Sequence, residues 1–201
     1  MDYRSYLYPE KPKLISIEQP LFEALSNDPK WVAEPKYNGS RLLLSIDGEN
    51  CELWNRHGRQ FGYRPPEFLS ATLSDFGSEV RGKCLFDSEL RHNKVQGVRD
   101  RIVIWDVLMW NGNLLLDVPY RHRRMYLPWE FPTNESFSFI QQHTGGNGTP
   151  FKVLFHDWTQ DPEIEGMVIK NLNGKLNLSR TAGQNSNWMV KVRRPSGMYR
   201  F

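Results

Sequence analysis

The segment spanning residues 101–109 constrains the fold most, because it contains the continuously apolar run Ile102-Val103-Ile104-Trp105. A run of this kind predicts a strand that is buried on both faces. Apolar or alternating segments predict further strands at residues 31–34, 41–46, 51–54, 83–91, 151–155, 166–171 and 188–193. Helices are predicted at residues 20–25, 66–73 and 120–127. Since strands and helices do not alternate regularly, we predict an α+β fold.

The chain length of 201 residues allows one domain with a sizeable core. We therefore expect a single domain over residues 1–201, with residues 1–16 as an N-terminal arm. The only cysteines, Cys51 and Cys84, suit neither a disulfide framework nor a zinc site, which favours a reducing, cytoplasmic compartment. Residues 1–8 lack the apolar stretch of a signal peptide, and no apolar run reaches the ~20 residues that span a bilayer. We expect an intracellular monomer without a membrane partner.

The net charge of +3, from 26 basic and 23 acidic side chains, neither establishes nor excludes a nucleic-acid partner. The distribution of the basic residues is more informative. They cluster in three stretches, which either bind a polyanion or form a solvated surface: Arg91, His92, Lys94, Arg99 and Arg101; Arg121, His122, Arg123 and Arg124; Arg180, Lys191, Arg193, Arg194 and Arg200.

Lys36 follows a predicted strand and precedes Gly39, in the octet EPKYNGSR of residues 34–41. A lysine with the ordinary pKa of ~10.4 is a poor nucleophile at neutral pH, and becomes reactive only when burial and neighbouring cations lower that pKa. Lys170, Lys191 and Arg41 are the candidate neighbours. Gly39 would permit a close approach of a phosphate. Taken alone, Lys36 is more typical of an exposed lysine at a turn than of a nucleophile.

The octet resembles the adenylation motif of the covalent nucleotidyltransferases, which include ATP-dependent DNA ligases, RNA ligases and mRNA capping enzymes. In that superfamily the lysine attacks the α-phosphate of a nucleotide and retains the nucleoside monophosphate as a phosphoramidate. Residues 55–58, NRHG, resemble the next motif, whose arginine, here Arg56, contacts the ribose and phosphate side of the nucleotide. Residues 86–90, FDSEL, resemble the third, in which Glu89 would bind the ribose or hold the metal. A structural ion pair is the alternative for Glu89.

Three further segments resemble later motifs of the same superfamily in the same order. Residues 103–108 place Trp105 where an aromatic side chain stacks on the purine, an interaction worth about 1–3 kcal/mol. Residues 165–170, EGMVIK, place Glu165 at a metal ligand and Lys170 at an α-phosphate contact. Because strand residues alternate between faces, only a bulge or twist could bring both charged groups to one cleft. Residues 191–193 place Lys191 and Arg193 at the last motif, normally lysine at both ends.

The resemblance implies an adenylation domain of antiparallel sheets and helices, similar to the ATP-grasp fold. It also implies a site in which ATP is held as covalent AMP with Mg²⁺ or Mn²⁺. The implied catalytic residues are Lys36, Lys170, Lys191 and Arg41. The nucleotide-binding set is Glu34, Lys36, Arg41, Arg56, Glu89, Trp105, Lys170, Lys191 and Arg193, and the metal ligands are Glu89 and Glu165.

Within the superfamily, Glu34 occupies the position that reads the adenine amino group in ligases, which disfavours a GTP-dependent capping enzyme. Asn38 replaces the usual aspartate of DNA ligases and is more typical of RNA ligases. We expect an ATP-dependent polynucleotide ligase acting on a nicked duplex, with DNA favoured over RNA. A catalytically inactive nucleic-acid-binding module is the non-enzymatic alternative.

The sequence continues for only eight residues after Arg193. We therefore expect no OB-fold domain. The protein would then be a naturally minimal enzyme, would work with a separate clamp protein, or would use residues elsewhere in its first step, with Lys11 and Lys13 of the N-terminal arm as candidates.

Overall fold

The computed structural model describes residues 9–146, 148–177 and 184–195. These residues form eleven strands and four helices. The strands are β1 Lys11–Leu14, β2 Trp31–Tyr37, β3 Ser40–Asp47, β4 Asn50–Asn55, β5 Cys84–Arg91, β6 Arg101–Trp110, β7 Asn113–Leu114, β8 Phe137–Phe139, β9 His143–Thr144, β10 Ile164–Asn171 and β11 Asn185–Arg193. The helices are α1 Pro20–Ser26, α2 Glu67–Glu79, α3 Tyr120–Arg123, continued by a 3-10 turn Arg124–Tyr126, and α4 Phe151–Trp158.

The strands form two sheets. The first sheet has the order β1-β11-β10-β2-β9, and the second has the order β4-β3-β5-β6-β7 with β8 paired to β6. Neighbouring strands are antiparallel, except that β1 runs parallel to β11 and β8 runs parallel to β6. Mostly antiparallel sheets with a few helices confirm the predicted α+β class.

Each sheet buries its outer face under helices. The first sheet packs against α1 and α4 through Phe22, Leu25, Phe151, Leu154 and Phe155. The second sheet packs against α2 through Leu69, Leu73 and Phe76. The inner faces of both sheets are not covered by helices, and together they line one cavity.

Most predicted elements are confirmed within one or two residues. The apolar run of β6 is buried at Ile102, Val103 and Ile104, and Trp105 is half-buried at the cavity. The turn between β3 and β4 has Gly48 at φ 59°, as the Asp-Gly signal predicts for a tight hairpin. Helix α2 extends six residues beyond the predicted end, to Glu79.

The strand predicted at residues 151–155 was wrong, because this segment is helix α4. Its aromatic and β-branched composition suggested a strand. The buried positions Phe151, Leu154, Phe155 and the half-buried Trp158 instead follow the i, i+3, i+4, i+7 spacing of an amphipathic helix that packs on the first sheet.

Within the part of the chain that the structure describes, no helix is long and apolar enough to cross a bilayer. Residues 11–14 of the predicted arm form β1 at the edge of the first sheet. Residues 1–8 of that arm, and the predicted basic residues Arg180 and Arg200, lie outside the described residues.

Candidate active site

A cavity of about 210 Å³ lies between the two sheets. Every side chain predicted to bind the nucleotide lines it: Glu34, Lys36, Arg41, Arg56, Glu89, Trp105, Lys170, Lys191 and Arg193. These residues are separated by up to 159 positions in the sequence, from Glu34 to Arg193. Glu165, the other predicted metal ligand, lies next to the cavity, where it is ion-paired to Lys36.

Strand alternation delivers the charged groups of β2 and β11 to the cavity. Glu34 and Lys36 are two residues apart on β2, so both point inward. On β11, Lys191 and Arg193 point inward in the same way. The alternate residues Val190 and Val192 point outward and pack into the core under α1 and α4. The period of two therefore separates an apolar outer face from a charged inner one.

A bulge in β10 solves the problem posed by Glu165 and Lys170, which simple alternation would place on opposite faces. The register between β10 and β2 shifts between Ile164 and Gly166. Lys170 lines the cavity and Glu165 contacts Lys36 beside it, while Met167 and Ile169 are fully buried in the core. Of the two alternatives that alternation left open, a bulge or a twist, the register shift favours the bulge.

Gly166 makes that bulge possible. Its φ of 154° is disfavoured for residues with a side chain, and a Cβ atom there would overlap the carbonyl oxygen of Val192 on β11. A second register shift, in the pairing of β5 with β6, leaves Trp105 between the paired residues Ile104 and Asp106. Trp105 thereby presents its ring to the cavity.

The open end of the cavity is a cluster of cations around Glu165. Lys36 forms an ion pair with this carboxylate, and the Arg193 Nη2 lies 3.1 Å from the same Oε1 oxygen. Burial lowers the pKa of Lys191, and Arg193, Lys36 and Lys11 lower it further, against the opposing effect of Glu165. The pKa of Lys191 is thus lowered by burial and by clustered cations, which are the surroundings that favour an amine nucleophile.

The closed end of the cavity is a buried hydrogen-bonded network around Glu34. Lys170 Nζ lies 2.7 Å from Glu34 Oε2, with both side chains almost fully buried. The Tyr120 hydroxyl donates to Glu34 Oε1 and accepts from Lys170 Nζ at 3.1 Å. Gln142 Nε2 donates to the same Glu34 oxygen at 2.7 Å. Burial and the Glu34 carboxylate raise the pKa of Tyr120 well above its usual value.

Trp105 lies beside this network, with its ring centroid 5.8 Å from Lys170 Nζ and 5.9 Å from Arg41 Cζ. Ile140, Val168 and Met189 provide the other apolar walls. An aromatic face flanked by aliphatic side chains suits a flat heterocycle, and the carboxylate of Glu34 at the end of the slot suits an amino group.

Arg41 is held by neighbours on two sides. Its Nε donates to Asp87 Oδ1 at 2.8 Å and its Nη2 pairs with Asp87 Oδ2, while Nη1 donates to the carbonyl oxygens of Pro9 and Glu10. Burial would lower the pKa of Arg41, but the Asp87 carboxylate outweighs this and raises it. Arg41 therefore fixes the segment before β1 against β3 and β5.

Glu89 is buried on β5 beside the turn that follows Lys36. Burial raises its pKa to about 7, with Lys36 acting in the opposite direction and Glu165 in the same one. A Cβ atom on Gly39 would lie 2.6 Å from Glu89 Cγ and 2.7 Å from the Leu90 carbonyl oxygen. The glycine therefore lets this turn pack closely on β5, which is a different reason from the phosphate approach that we predicted.

The residues that the structure describes contain no group of three or more His, Cys, Asp or Glu side chains suited to a metal. Glu89 and Glu165, which each interact with Lys36, supply two carboxylates. Mg²⁺ is commonly held by one or two carboxylates, with substrate phosphates and water completing the octahedron. These residues therefore fit a metal that enters together with a polyphosphate. The Asn38 side chain donates to the Lys94 carbonyl oxygen at 3.4 Å.

Arg56 lies on the turn after β4, exposed at the cavity mouth. Asn55 builds this turn, because its Oδ1 accepts from the backbone N–H of His57 at 2.9 Å and of Arg59 at 3.2 Å. Arg56 Nε donates to His57 Nε2 at 3.0 Å.

Two basic residues of the second predicted cluster do not belong to any surface. Arg123 is fully buried in a two-bond pair with Asp106, at 2.9 and 2.7 Å. Arg124 is buried as well, and donates to the Ile140 carbonyl oxygen at 2.8 Å. Their spacing on a short helix that lies over β6 turns them inward, while Arg121 and His122 remain exposed.

Sequence reasoning missed Tyr120, Gln142 and Asp87 as parts of the site. Tyr120 was assigned only to a basic helix, although a tyrosine beside buried charges is a frequent hydrogen-bond partner. Asp87 lies two residues before Glu89 on β5, so strand alternation predicts that both side chains are on the same, inner face of the sheet. Nothing in the local sequence of Gln142 indicates its contact with Glu34, which is 108 positions away.

Comparison with protein families gives a match to the family described as the ATP dependent DNA ligase domain, over residues 91–193. Among curated proteins, the chain is 22% identical over 190 residues to the SPbeta prophage-derived DNA ligase-like protein LigB of Bacillus subtilis strain 168, covering 89% of this chain and 65% of that protein. It is 25% identical over 170 residues to DNA ligase C1 of Mycolicibacterium smegmatis, covering 72% of this chain and 47% of that protein.

Among solved structures, the ligase domain of M. tuberculosis LigD superimposes with a TM-score of 0.71 at 20% identity, covering 96% of this chain and 61% of that one. The ATP-dependent DNA ligase of bacteriophage T7 in complex with ATP superimposes with a TM-score of 0.60 at 14% identity, covering 92% of this chain and 68% of that one. At such identities the likeness concerns the fold. The chain thus spans under two thirds of the length of both curated relatives.

Proposed function

This chain belongs to the family of ATP-dependent DNA ligase domains, and from that premise we propose that it seals 5′-phosphate/3′-hydroxyl nicks in DNA through a covalent lysyl-AMP intermediate. One observation carries the proposal. Lys36 projects into a cavity whose closed end offers Trp105 and Glu34 for a purine and whose open end gathers Lys191 and Arg193 for phosphates.

In the first step, the Lys36 amine attacks the α-phosphorus of ATP. The new N–P bond forms as the bond from the α-phosphorus to the bridging oxygen breaks, and pyrophosphate leaves with the electron pair. Lys36 loses its protons to solvent, one on becoming the free amine and one on forming the phosphoramidate. Lys191 and Arg193, which line the cavity, would stabilise the negative charge that accumulates on the phosphate oxygens.

In the second step, an oxygen of the nick 5′-phosphate attacks the AMP phosphorus, and the N–P bond breaks with its electron pair returning to Lys36. In the third, the 3′-hydroxyl attacks the activated 5′-phosphate, a phosphodiester forms, and AMP leaves. Glu34, Tyr120 and Lys170 hold the closed end of the cavity rigid in all three steps, because their buried bonds are mutually satisfied.

The ligase family implies ATP and a divalent cation. Glu89 and Glu165 would hold Mg²⁺ or Mn²⁺, with phosphate oxygens completing the coordination. The metal would supply neutralisation of charge on the phosphate. Glu165, which is ion-paired to the Lys36 ammonium, would hold it beside that amine. A cytoplasmic location is part of the proposal, because Cys51 and Cys84 are free thiols, which suits a reducing compartment.

RNA is the second candidate substrate, because of Asn38. This neutral amide stands where DNA ligases usually carry an aspartate, and its side chain is bonded to the Lys94 backbone. The turn after Lys36 therefore carries one negative charge fewer than the same turn in DNA ligases that have the aspartate. DNA and RNA are therefore distinguished by comparing the sealing of nicked duplexes of each.

The test is a sealing assay on two matched nicked duplexes, one of DNA and one of RNA, each with a 5′-phosphate at the nick and a fluorescent label at the far 3′ end of the phosphorylated strand. We expect ATP-dependent conversion of the DNA substrate to full-length product, and no conversion by Lys36→Ala. A nick without the 5′-phosphate is the chemical control. Sealing of the RNA duplex alone would establish the second candidate. Labelling by GTP rather than ATP would indicate capping chemistry, and binding of nicked DNA without sealing or labelling would indicate an inactive module.

A further inference from the structure

Strand β1 forms part of the cavity wall, although no nucleotide-binding role follows from the family motifs for any of its residues. It lies at the edge of the first sheet, parallel to β11, with Leu14 opposite Lys191. Pro9, Lys11 and Pro12 line the cavity from this side. Lys11 is thus a cation from a separate strand at the cavity that holds Lys36.

The position of Lys11 is fixed by its backbone. Its N–H donates to the Gln184 carbonyl oxygen at 3.0 Å. Immediately before it, the carbonyl oxygens of Pro9 and Glu10 accept from the Arg41 guanidinium, which Asp87 anchors in turn. A side chain on such an anchored strand needs little reorganisation to meet a bound anion.

The ion pairs around the cavity leave Lys11 available. Lys36 and Arg193 pair with Glu165, and Lys170 pairs with Glu34. Among the ion pairs between described residues, none involves Lys11. Lys11 is close enough to Lys191 to contribute to lowering its pKa, after burial, Arg193 and Lys36. The positive charge of Lys11 and Lys191 in this part of the cavity therefore favours the binding of a polyanion.

We propose that Lys11 binds the β- and γ-phosphates of ATP and stabilises the pyrophosphate that leaves when Lys36 takes AMP. This rests on the proposed lysyl-AMP chemistry. As the bond between the α-phosphorus and the bridging oxygen breaks, negative charge moves onto that oxygen, and the Lys11 ammonium lies on the side from which Lys191 and Arg193 approach the phosphates. Lys11 acts only while pyrophosphate is present, in adenylylation and in its reverse.

The experiment separates the steps. Lys11→Met is compared with wild type and with Lys175→Met, which removes an equal charge from an exposed position that does not line the cavity. Three rates are measured: adenylylation by ATP in a single turnover, removal of AMP from the adenylylated protein by inorganic pyrophosphate, and sealing of a chemically pre-adenylylated nick without ATP.

We expect Lys11→Met to slow the first two rates by about 10- to 100-fold, the effect of losing one charged contact, while sealing of the pre-adenylylated nick stays within about twofold. Lys175→Met should match wild type in all three, and Lys11→Arg should recover most of the loss. Unchanged adenylylation and pyrophosphate reactions in Lys11→Met would overturn the proposal. Equal loss of all three rates would also overturn it, since it would mean a general structural role.

Failure of the proposed ligase function would give a different result from failure of the Lys11 proposal. A wild-type protein that forms no covalent AMP, whether from ATP or from an adenylylated nick, would show that the lysyl-AMP chemistry itself is absent. In contrast, a wild type that is labelled normally, beside an equally active Lys11→Met, refutes only the role of Lys11.

Discussion

Replacing Lys170 with methionine removes the ammonium that lies 2.7 Å from Glu34 Oε2, in a pair whose side chains are only 4% and 3% exposed. The Glu34 carboxylate then stays buried with two neutral donors, Tyr120 and Gln142. Breaking a buried pair from one side costs about 3–5 kcal/mol, because a charge is left without compensation. For a domain of this size, where ~1 kcal/mol moves the melting temperature by about 2–4 °C, we expect a fall of roughly 10 °C.

The double variant Glu34→Gln/Lys170→Met sharpens the prediction. It removes both charges and keeps an amide that can bond to Tyr120, so it should be more stable than either single variant. The matched control is Lys175→Met, because Lys175 lies 3.8 Å from Asp117 in an exposed pair and should contribute at most about 1 kcal/mol.

The free energy of unfolding is measured by urea titration, followed by the fluorescence of the seven tryptophans. The reasoning is refuted if Lys170→Met costs no more than Lys175→Met, since the pair would then be solvated in the folded protein. It is refuted as well if the costs of the two single variants simply add in the double variant, since the charges would then not be coupled.

Three further predictions concern the metal-free protein. Glu89→Gln should leave the free energy of unfolding unchanged near pH 4 and raise it by about 3 kcal/mol at pH 8 in EDTA. The reason is that the pKa of Glu89 is about 7 in the folded protein and 4.5 in the unfolded chain, so the wild type loses stability as the pH rises between these values. Parallel urea titrations that show no pH-dependent difference between the two proteins would contradict this. Gly166→Ala should cost about 2–4 kcal/mol, because its Cβ would overlap the Val192 carbonyl oxygen, whereas Gly62→Ala, which has open space, should have little effect in thermal unfolding. Arg123→Met should cost about 3–5 kcal/mol by leaving Asp106 buried and unpaired, and a loss as small as that of exposed Arg121→Met would refute the buried pair.

Local sequence signals were sufficient for much of the first half of the chain. The segment around Lys36 forms the predicted strand, turn and strand, and alternation on β2 brings Glu34 and Lys36 to one cavity. Such features depend on period-two patterning and turn residues, which a single sequence displays directly. The cavity that unites all nine predicted nucleotide-binding residues follows from the ordering of these patterns.

Features set by long-range packing were not predictable in the same way. The strand expected at residues 151–155 is helix α4, because burial against the first sheet selects a helical face over the strand preference of its residues. The need for a bulge at Glu165 could be stated from alternation, but its place depends on Gly166 meeting Val192 on the next strand. Tyr120 and Gln142 reach Glu34 across 86 and 108 positions, which no local pattern encodes.

The most direct measurement for the account is covalent labelling with α-labelled ATP and Mg²⁺, comparing wild type with Lys36→Ala and locating the adduct by mass spectrometry. The account predicts label on wild type at Lys36 alone, removed by pyrophosphate, and none on the variant. A wild type that starts without bound AMP and gains no label, or a label that persists in Lys36→Ala, would contradict the claim that Lys36 is the nucleophile of a ligase.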